Sequence, residues 1–145
     1  MNNVYKFEAS KGNYRWHLVL SIIVPLSYMW FLNKYSSMLL PLSSVTFLPF
    51  VFLLWIYLTT SYVIQDKSIF YRSAFIRGSF LISSITEIRL EKRPERGQRP
   101  AMANKGMLII YGDNQKVFIA PSKPHIFLNT IRKINKNVIV THSSK

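Results

Sequence analysis

The first half of the chain contains two long stretches without Asp, Glu, Lys or Arg. They read WHLVLSIIVPLSYMWFLN, from Trp16 to Asn33, and YSSMLLPLSSVTFLPFVFLLWIYLTTSYVIQ, from Tyr35 to Gln65. A hydrocarbon core of about 30 Å needs roughly 20 apolar residues in a helix, and each stretch contains a window of about that length. The pattern predicts a hairpin of two transmembrane helices, at about 15–32 and 37–58, joined by a short loop.

The distribution of charge predicts the orientation of this hairpin. The 145 residues carry 19 Lys and Arg against 6 acidic residues, a net charge of +13. Three basic residues precede the first apolar stretch, Lys34 alone separates the two, and fifteen follow. Because Lys and Arg near membrane helices stay on the cytoplasmic side, we expect a multi-pass protein of the cell membrane with both termini in the cytoplasm. A cleaved signal peptide is the alternative for the first stretch, but no small-residue cleavage site follows Leu32.

Three tryptophans are predicted to mark the membrane interfaces. Trp16 and Trp30 lie near the two ends of the first predicted helix, and Trp55 lies towards the returning end of the second. Indole rings favour the headgroup level of a bilayer, which suits an anchoring role. Apart from Arg15 at the start of the first, neither predicted span contains an Asp, Glu, Lys or Arg, and this argues against ion or proton conduction.

From Ser61 onward the sequence predicts a small β domain. Apolar, β-branched segments flank the turn residues Asp66-Lys67-Ser68 and, later, Gly112-Asp113-Asn114-Gln115, a pattern typical of hairpins. A closing amphipathic helix is predicted from Ser122, as N-cap, to Asn135. The predicted fold is therefore α+β, with residues 1–60 forming an N-terminal segment and the transmembrane hairpin. Residues 61–145 form a cytoplasmic antiparallel β domain with a C-terminal helix.

Three segments of this second half resemble a known family. They are RPAMANKGMLIIY (Arg99–Tyr111), VFIAP (Val117–Pro121) and Phe127-Leu128, and together they resemble the pleckstrin-homology (PH)-like domains of small bacterial YyaB-like membrane proteins. The resemblance covers about residues 61–135. It implies a membrane hairpin followed by a partial PH barrel or sheet and a helix, and a non-catalytic recognition role. Ala101, Met102 and Ala103 stand where the family tends to have small polar residues.

The segment EKRPERGQRP, Glu91–Pro100, is the candidate contact site of the domain. Its basic side chains, beside a membrane, suit anionic lipid headgroups or a protein partner. Two prolines and a glycine keep the segment out of regular structure. The alternative is a solvated connection in which Glu91 and Glu95 partly neutralise their neighbours. The candidate contact residues are Lys92, Arg93, Arg96 and Arg99.

Composition and spacing argue against catalysis. The chain has no cysteine, its three histidines are scattered, and no phosphate-binding loop or nucleophile motif is present. No catalytic, cofactor or metal site is predicted, and no nucleic-acid partner is expected because the charge already has a topological explanation. The sequence predicts a membrane-anchored, non-catalytic PH-like protein that presents a basic domain to a protein or lipid partner, and it specifies no oligomeric state. The alternative is bacteriocin immunity or protection against membrane stress, a role that the resemblance implies.

Overall fold

The computed structural model describes residues 4–35, 44–91 and 100–142. The chain forms two compact units, a β domain made of Met1–Gly12 with Thr59–Lys145 and a helical unit, Asn13–Leu58. The described helices and strands, in chain order, are β1 Tyr5–Glu8, α1 Tyr14–Tyr35, α2 Leu48–Thr59, β2 Ser61–Gln65, β3 Ser68–Ser73, β4 Ile76–Leu81, β5 Ile85–Glu91, β6 Gly106–Tyr111, β7 Gln115–Ile119, α3 Pro124–Ile134 and β8 Ile139–His142.

The helical unit contains α1 and α2, with a 3-10 turn at Ser44–Phe47 before α2. Helix α1 includes the predicted range 15–32, and it continues through Pro25. Of the second predicted helix, residues 37–43 lie outside the described residues, and α2 begins at Leu48. Pro49 therefore lies in the first turn of α2, where a missing N–H costs little. Within the part of the chain that the structure describes, no helix combines the length and apolarity needed to cross a membrane, and the predicted transmembrane hairpin is not confirmed.

Strand β1 belongs to the β domain, although it precedes the helical unit in the chain. It pairs antiparallel with β2, with Tyr5 opposite Ile64 and Glu8 opposite Ser61. The helical unit is thus an insertion between two hydrogen-bonded strands. The sequence analysis did not predict β1, because its partner lies more than fifty residues away along the chain.

The described strands form two four-stranded sheets. The first has the order β1-β2-β3-β4 and is antiparallel throughout. The second has the order β7-β6-β5-β8, in which β8 is parallel to β5 and the other pairs are antiparallel. Asp66 and Lys67 have φ values of 49° and 63°, which are the values that a two-residue hairpin turn between β2 and β3 requires. The two predicted hairpins, β2–β3 and β6–β7, are both present.

The residues after β1 join the first sheet to the second. Ala9 forms an antiparallel bridge with Pro121, just beyond β7. The Ser10 N–H donates to the Ala120 carbonyl at 2.6 Å, and the Ser122 N–H donates to the Glu8 carbonyl at 2.8 Å. The N-terminal segment therefore lies between β2 and the end of β7, and it closes one side of the domain.

Helix α3 packs over the core between the sheets. Phe127 and Ile131 are fully buried, and the Phe7 and Phe127 rings meet edge to face with centroids 5.0 Å apart. The predicted closing helix is present, but it begins at Pro124. Its N-cap is Lys123 without a side-chain cap, so the prediction of Ser122 as the N-cap is wrong. The largest fully buried side chains are Tyr62, Phe118, Phe127, Ile64, Ile69, Ile82, Ile88, Met107, Ile109, Ile119, Ile131 and Val117.

Candidate functional site

The predicted contact residues Lys92, Arg93, Arg96 and Arg99 lie in 92–99, outside the described residues. Their role in binding a lipid or a partner stays a prediction. Just after them, Pro100 is buried, and its carbonyl accepts a hydrogen bond of 2.6 Å from the Tyr62 hydroxyl.

The predicted interface anchors lie on both helices of the helical unit. Trp16 and Trp30 are exposed on α1, and Trp55 is 37% exposed on α2. Fourteen residues separate Trp16 from Trp30, so the two rings are about 21 Å apart along the helix axis. This is shorter than a hydrocarbon core of about 30 Å. Their anchoring role stays a prediction.

The helical unit exposes apolar side chains around both helices. Of the described side chains of α1, only Pro25 is buried, and α2 has no buried residue. A helix that is apolar on all sides needs to be covered by lipid or by protein. The exposed large apolar residues are Trp16, Val19, Leu20, Ile23, Val24, Leu26, Tyr28, Trp30 and Phe31 on α1, and Leu48, Val51, Phe52, Trp55 and Leu58 on α2.

Two arginines face each other on the outer surface of the first sheet. Arg72 of β3 and Arg77 of β4 are directly opposite in the strand register, and both are exposed. Like charges in this position destabilise a sheet by a few tenths of a kcal/mol or more. Within residues 4–35, 44–91 and 100–142, neither arginine forms an ion pair, whereas Arg89 is paired with Glu87. An uncompensated arginine pair is well suited to an anionic group.

The arginine pair lies in a shallow groove on this outer surface. The groove has a volume of about 460 Å³, and Ser61, Val63, Phe70 and Ser79 contribute to its lining. Phe70 is 45% exposed. Lys6 of β1 lies opposite Val63, so a third basic residue shares this surface. We call Lys6, Arg72 and Arg77, with Phe70 between them, the basic face.

The turn between β3 and β4 lies at one end of the basic face. Its backbone is fixed by two polar contacts, from the Ala74 N–H to Thr59 Oγ1 at 3.1 Å and between the buried Thr60 and Ser73 hydroxyls at 2.8 Å. At its tip Phe75 is 75% exposed.

A second groove of about 460 Å³ lies beside the start of α3. Leu90, Met107 and Leu128 give it an apolar lining, and Lys105 and His125 add polar groups. This groove is large enough for a small ligand. The sequence analysis did not identify this groove, because its lining comes from β5, β6 and α3, which are distant in the chain.

Tyr62 connects three parts of the β domain through its hydroxyl. The hydroxyl donates to the Pro100 carbonyl and accepts from the Ala120 N–H at 3.2 Å. Burial raises the pKa of the Tyr62 phenol far above its usual range, and the Ala120 hydrogen bond lowers it only in part. The phenol is therefore neutral, and its role is structural.

Glu87 links β5 to β8. Its carboxylate accepts two hydrogen bonds of 2.9 Å from Arg89 and one of 2.8 Å from Thr141. The Arg89 hydrogen bonds, followed by that from Thr141, lower the pKa of Glu87. Among the described residues, no cluster of three His, Cys, Asp or Glu side chains could hold a metal ion. The expectation of a non-catalytic protein stays a prediction.

The comparisons with known proteins identify the family. A model of the bacterial PH domain matches residues 60–135, just over half of the chain, and the chain belongs to this family. The predicted resemblance to bacterial PH-like domains is confirmed. Comparison with curated proteins and with solved structures gives no match. Strands β1 and β8 lie outside the matched range and complete the two sheets.

Proposed function

We propose that this member of the bacterial PH domain family is a non-catalytic binding module that its helical unit holds at the cell membrane. The β domain and both termini lie in the cytoplasm, and the basic domain is presented to anionic lipid headgroups or to a protein partner. The net charge of +13 supports a position on the cytoplasmic side of the membrane, because Lys and Arg residues that flank membrane helices are retained in the cytoplasm.

The observation that carries the proposal is the pairing of Glu8 with Ser61. The chain leaves the β domain after β1 and returns to it at β2, and these strands are hydrogen-bonded neighbours. Both ends of the helical unit are therefore attached to one folded domain. Any insertion must then be a hairpin that enters and leaves by the same face, which supports the predicted arrangement of the two helices.

The exposed apolar surface of α1 and α2 supports the membrane as the place of attachment. Contiguous apolar surface of this kind is rare on a protein surrounded by water. Helix α2 has no charged residue, and the charged residues of α1, Arg15 and Lys34, lie near its two ends. Burying this surface in lipid is favoured by about 25 cal/mol for each Å² removed from water.

Sided cysteine labelling tests the proposal, because the natural chain has no cysteine. Single-cysteine variants Ser37→Cys, between the two helices, and Lys136→Cys, after α3, are expressed in bacterial cells and treated with a membrane-impermeant maleimide. We expect Ser37→Cys to react in intact cells and Lys136→Cys only after lysis. Labelling of Lys136→Cys from outside, or release of the protein from membranes by alkaline carbonate, would contradict the proposal.

The immunity role that the resemblance implies is the second candidate. The exposed apolar side chains of the helical unit favour it, because a toxin that acts in the bilayer could dock on α1 or α2. Expression of the full chain in a bacteriocin-sensitive strain tests this role. Survival that is lost when exposed Val24 or Leu26 is changed to Trp, with membrane levels unchanged, would support it. Sensitivity equal to that of cells without the protein would refute it.

A further inference from the structure

We propose that the groove beside the start of α3 binds a small carboxylate that carries an apolar tail. We call it the α3 groove, and its lining includes Leu90, Met107 and Leu128 together with Lys105 and His125. Every described residue that lines it belongs to the β domain, so the site is complete within one folded unit. The inference goes beyond the proposed function, because it assigns a small-molecule ligand and requires neither a membrane nor a protein partner.

The first step is the size and the apolar lining of the α3 groove. Its volume of about 460 Å³ lies within the usual range of small-molecule pockets, about 300–1,000 Å³. Leu90 comes from β5, Met107 from β6 and Leu128 from α3, and these side chains form an apolar wall. Met107 is fully buried, whereas Leu90 and Leu128 are half-buried. A ligand with an apolar tail would remove their remaining exposed surface from water, which is favourable.

The second step is the set of polar groups on the more exposed side of the α3 groove. Lys105, Ser122 and His125 line the groove, and all three are exposed. Within residues 4–35, 44–91 and 100–142, Lys105 forms no ion pair, and none of the described lining residues is acidic. The ammonium, the hydroxyl and the imidazole can each donate a hydrogen bond. This side of the groove is therefore suited to an anionic hydrogen-bond acceptor.

The third step identifies the class of the anion. Bidentate recognition of a phosphate group favours the planar fork of arginine, and the described lining of the α3 groove contains one lysine and no arginine. A single ammonium matches the single negative charge of a carboxylate, whereas it would repel a cationic ligand. The apolar wall next to Lys105 matches a short alkyl tail. A small carboxylate with such a tail is therefore the ligand that both sides of the groove fit.

Methionine methyl NMR of the full chain in detergent micelles tests this inference with hexanoate as the probe. Met107 lines the α3 groove, and Met29 on α1 reports entry of the probe into the micelle. We expect a saturable shift of the Met107 methyl signal and no saturable shift of the Met29 signal. Butanoate, which is two CH₂ groups shorter, should need about tenfold more ligand for half of the shift. Hexanol and hexylamine, which lack the negative charge, should each need at least about fivefold more.

Two variants and a matched control complete the test. Lys105→Gln should raise the hexanoate concentration for half of the shift about fivefold, and Ser122→Trp, which fills the α3 groove, should abolish the shift. The control Lys133→Gln removes one charge from an exposed position of α3 outside the groove and should keep the response. Equal thermal unfolding of the variants excludes misfolding.

Three results would overturn the inference. The first is the absence of a saturable Met107 shift with hexanoate, and the second is an equal effect of Lys105→Gln and Lys133→Gln. The third is half of the shift at an equal or lower concentration of hexanol or of hexyl phosphate, which would exclude a carboxylate as the preferred ligand.

Discussion

The substitution Phe7→Ala tests whether β1 is part of the core of the β domain. Phe7 is 8% exposed, and its ring meets Phe127 edge to face at 5.0 Å. Truncation of a buried Phe to Ala costs about 3–5 kcal/mol, and roughly 0.5–1.5 kcal/mol of this reflects the ring pair. Small domains are stable by about 5–15 kcal/mol in total. We therefore expect Phe7→Ala to lower the free energy of unfolding of the β domain by a large part. The loss should be seen at the amides of β6 and β7, which are far from Phe7 in the sequence.

Hydrogen exchange followed by mass spectrometry measures this effect on the full chain in detergent micelles. Amides of β6, such as that of Ile109, should exchange about 10²- to 10³-fold faster in Phe7→Ala, because each 1.4 kcal/mol is a factor of ten. The matched control is Tyr5→Ala on the same strand, where the side chain is 45% exposed and the cost should be within about 1 kcal/mol. Equal exchange in the two variants would refute the assignment of β1 to the core.

Three further results are expected for the β domain. Above about pH 10 the free energy of unfolding should fall, because burial raises the phenol pKa of Tyr62 and Tyr71 in the folded state and the unfolded state therefore loses these protons first. Urea titrations at several pH values should show a shallower fall in Tyr62→Phe, and an unchanged dependence of the free energy of unfolding on pH would count against this explanation. The substitution Gly106→Ala should lower the free energy of thermal unfolding by about 1–3 kcal/mol, because the Cβ of the new alanine would lie 2.5 Å from the Ile119 carbonyl oxygen. An unchanged melting temperature would show that β6 and β7 can move apart at little cost in free energy. The substitution Ala74→Gly should stabilise the domain by up to about 1 kcal/mol, because Ala74 has a φ of 48°; a lower melting temperature would contradict this reading of the turn.

The features that the sequence predicts well are local. The β2–β3 hairpin follows from Asp66-Lys67, two residues that occupy positive φ, and the β6–β7 hairpin follows from the Gly112 turn. The closing helix follows from its apolar spacing. Each signal is complete within about fifteen residues, so its recognition needs no information on which distant segments pair.

The features that the sequence analysis missed depend on distant pairing. Strand β1 has only four residues, and its partner β2 follows the whole helical unit. Strand β8 is recognisable only through its parallel register with β5. The basic face could have been found in part, because Arg72 alternates with the buried Tyr71 and Ser73. That Arg77 lies opposite Arg72 follows only from the register of the β3–β4 turn.

The most direct measurement of the helical insertion is a cysteine cross-link between β1 and β2 in native membranes. Lys6 and Val63 are directly opposite, and Cα atoms in this position are close enough for a disulfide. Mild oxidation of Lys6→Cys/Val63→Cys should therefore give a rapid intramolecular link that shifts the protein on a gel. The control Lys6→Cys/Ser79→Cys, three strands apart in the same sheet, should remain unlinked. Absence of the first link, or equal rates for both pairs, would show that β1 is not paired with β2 across the helical unit.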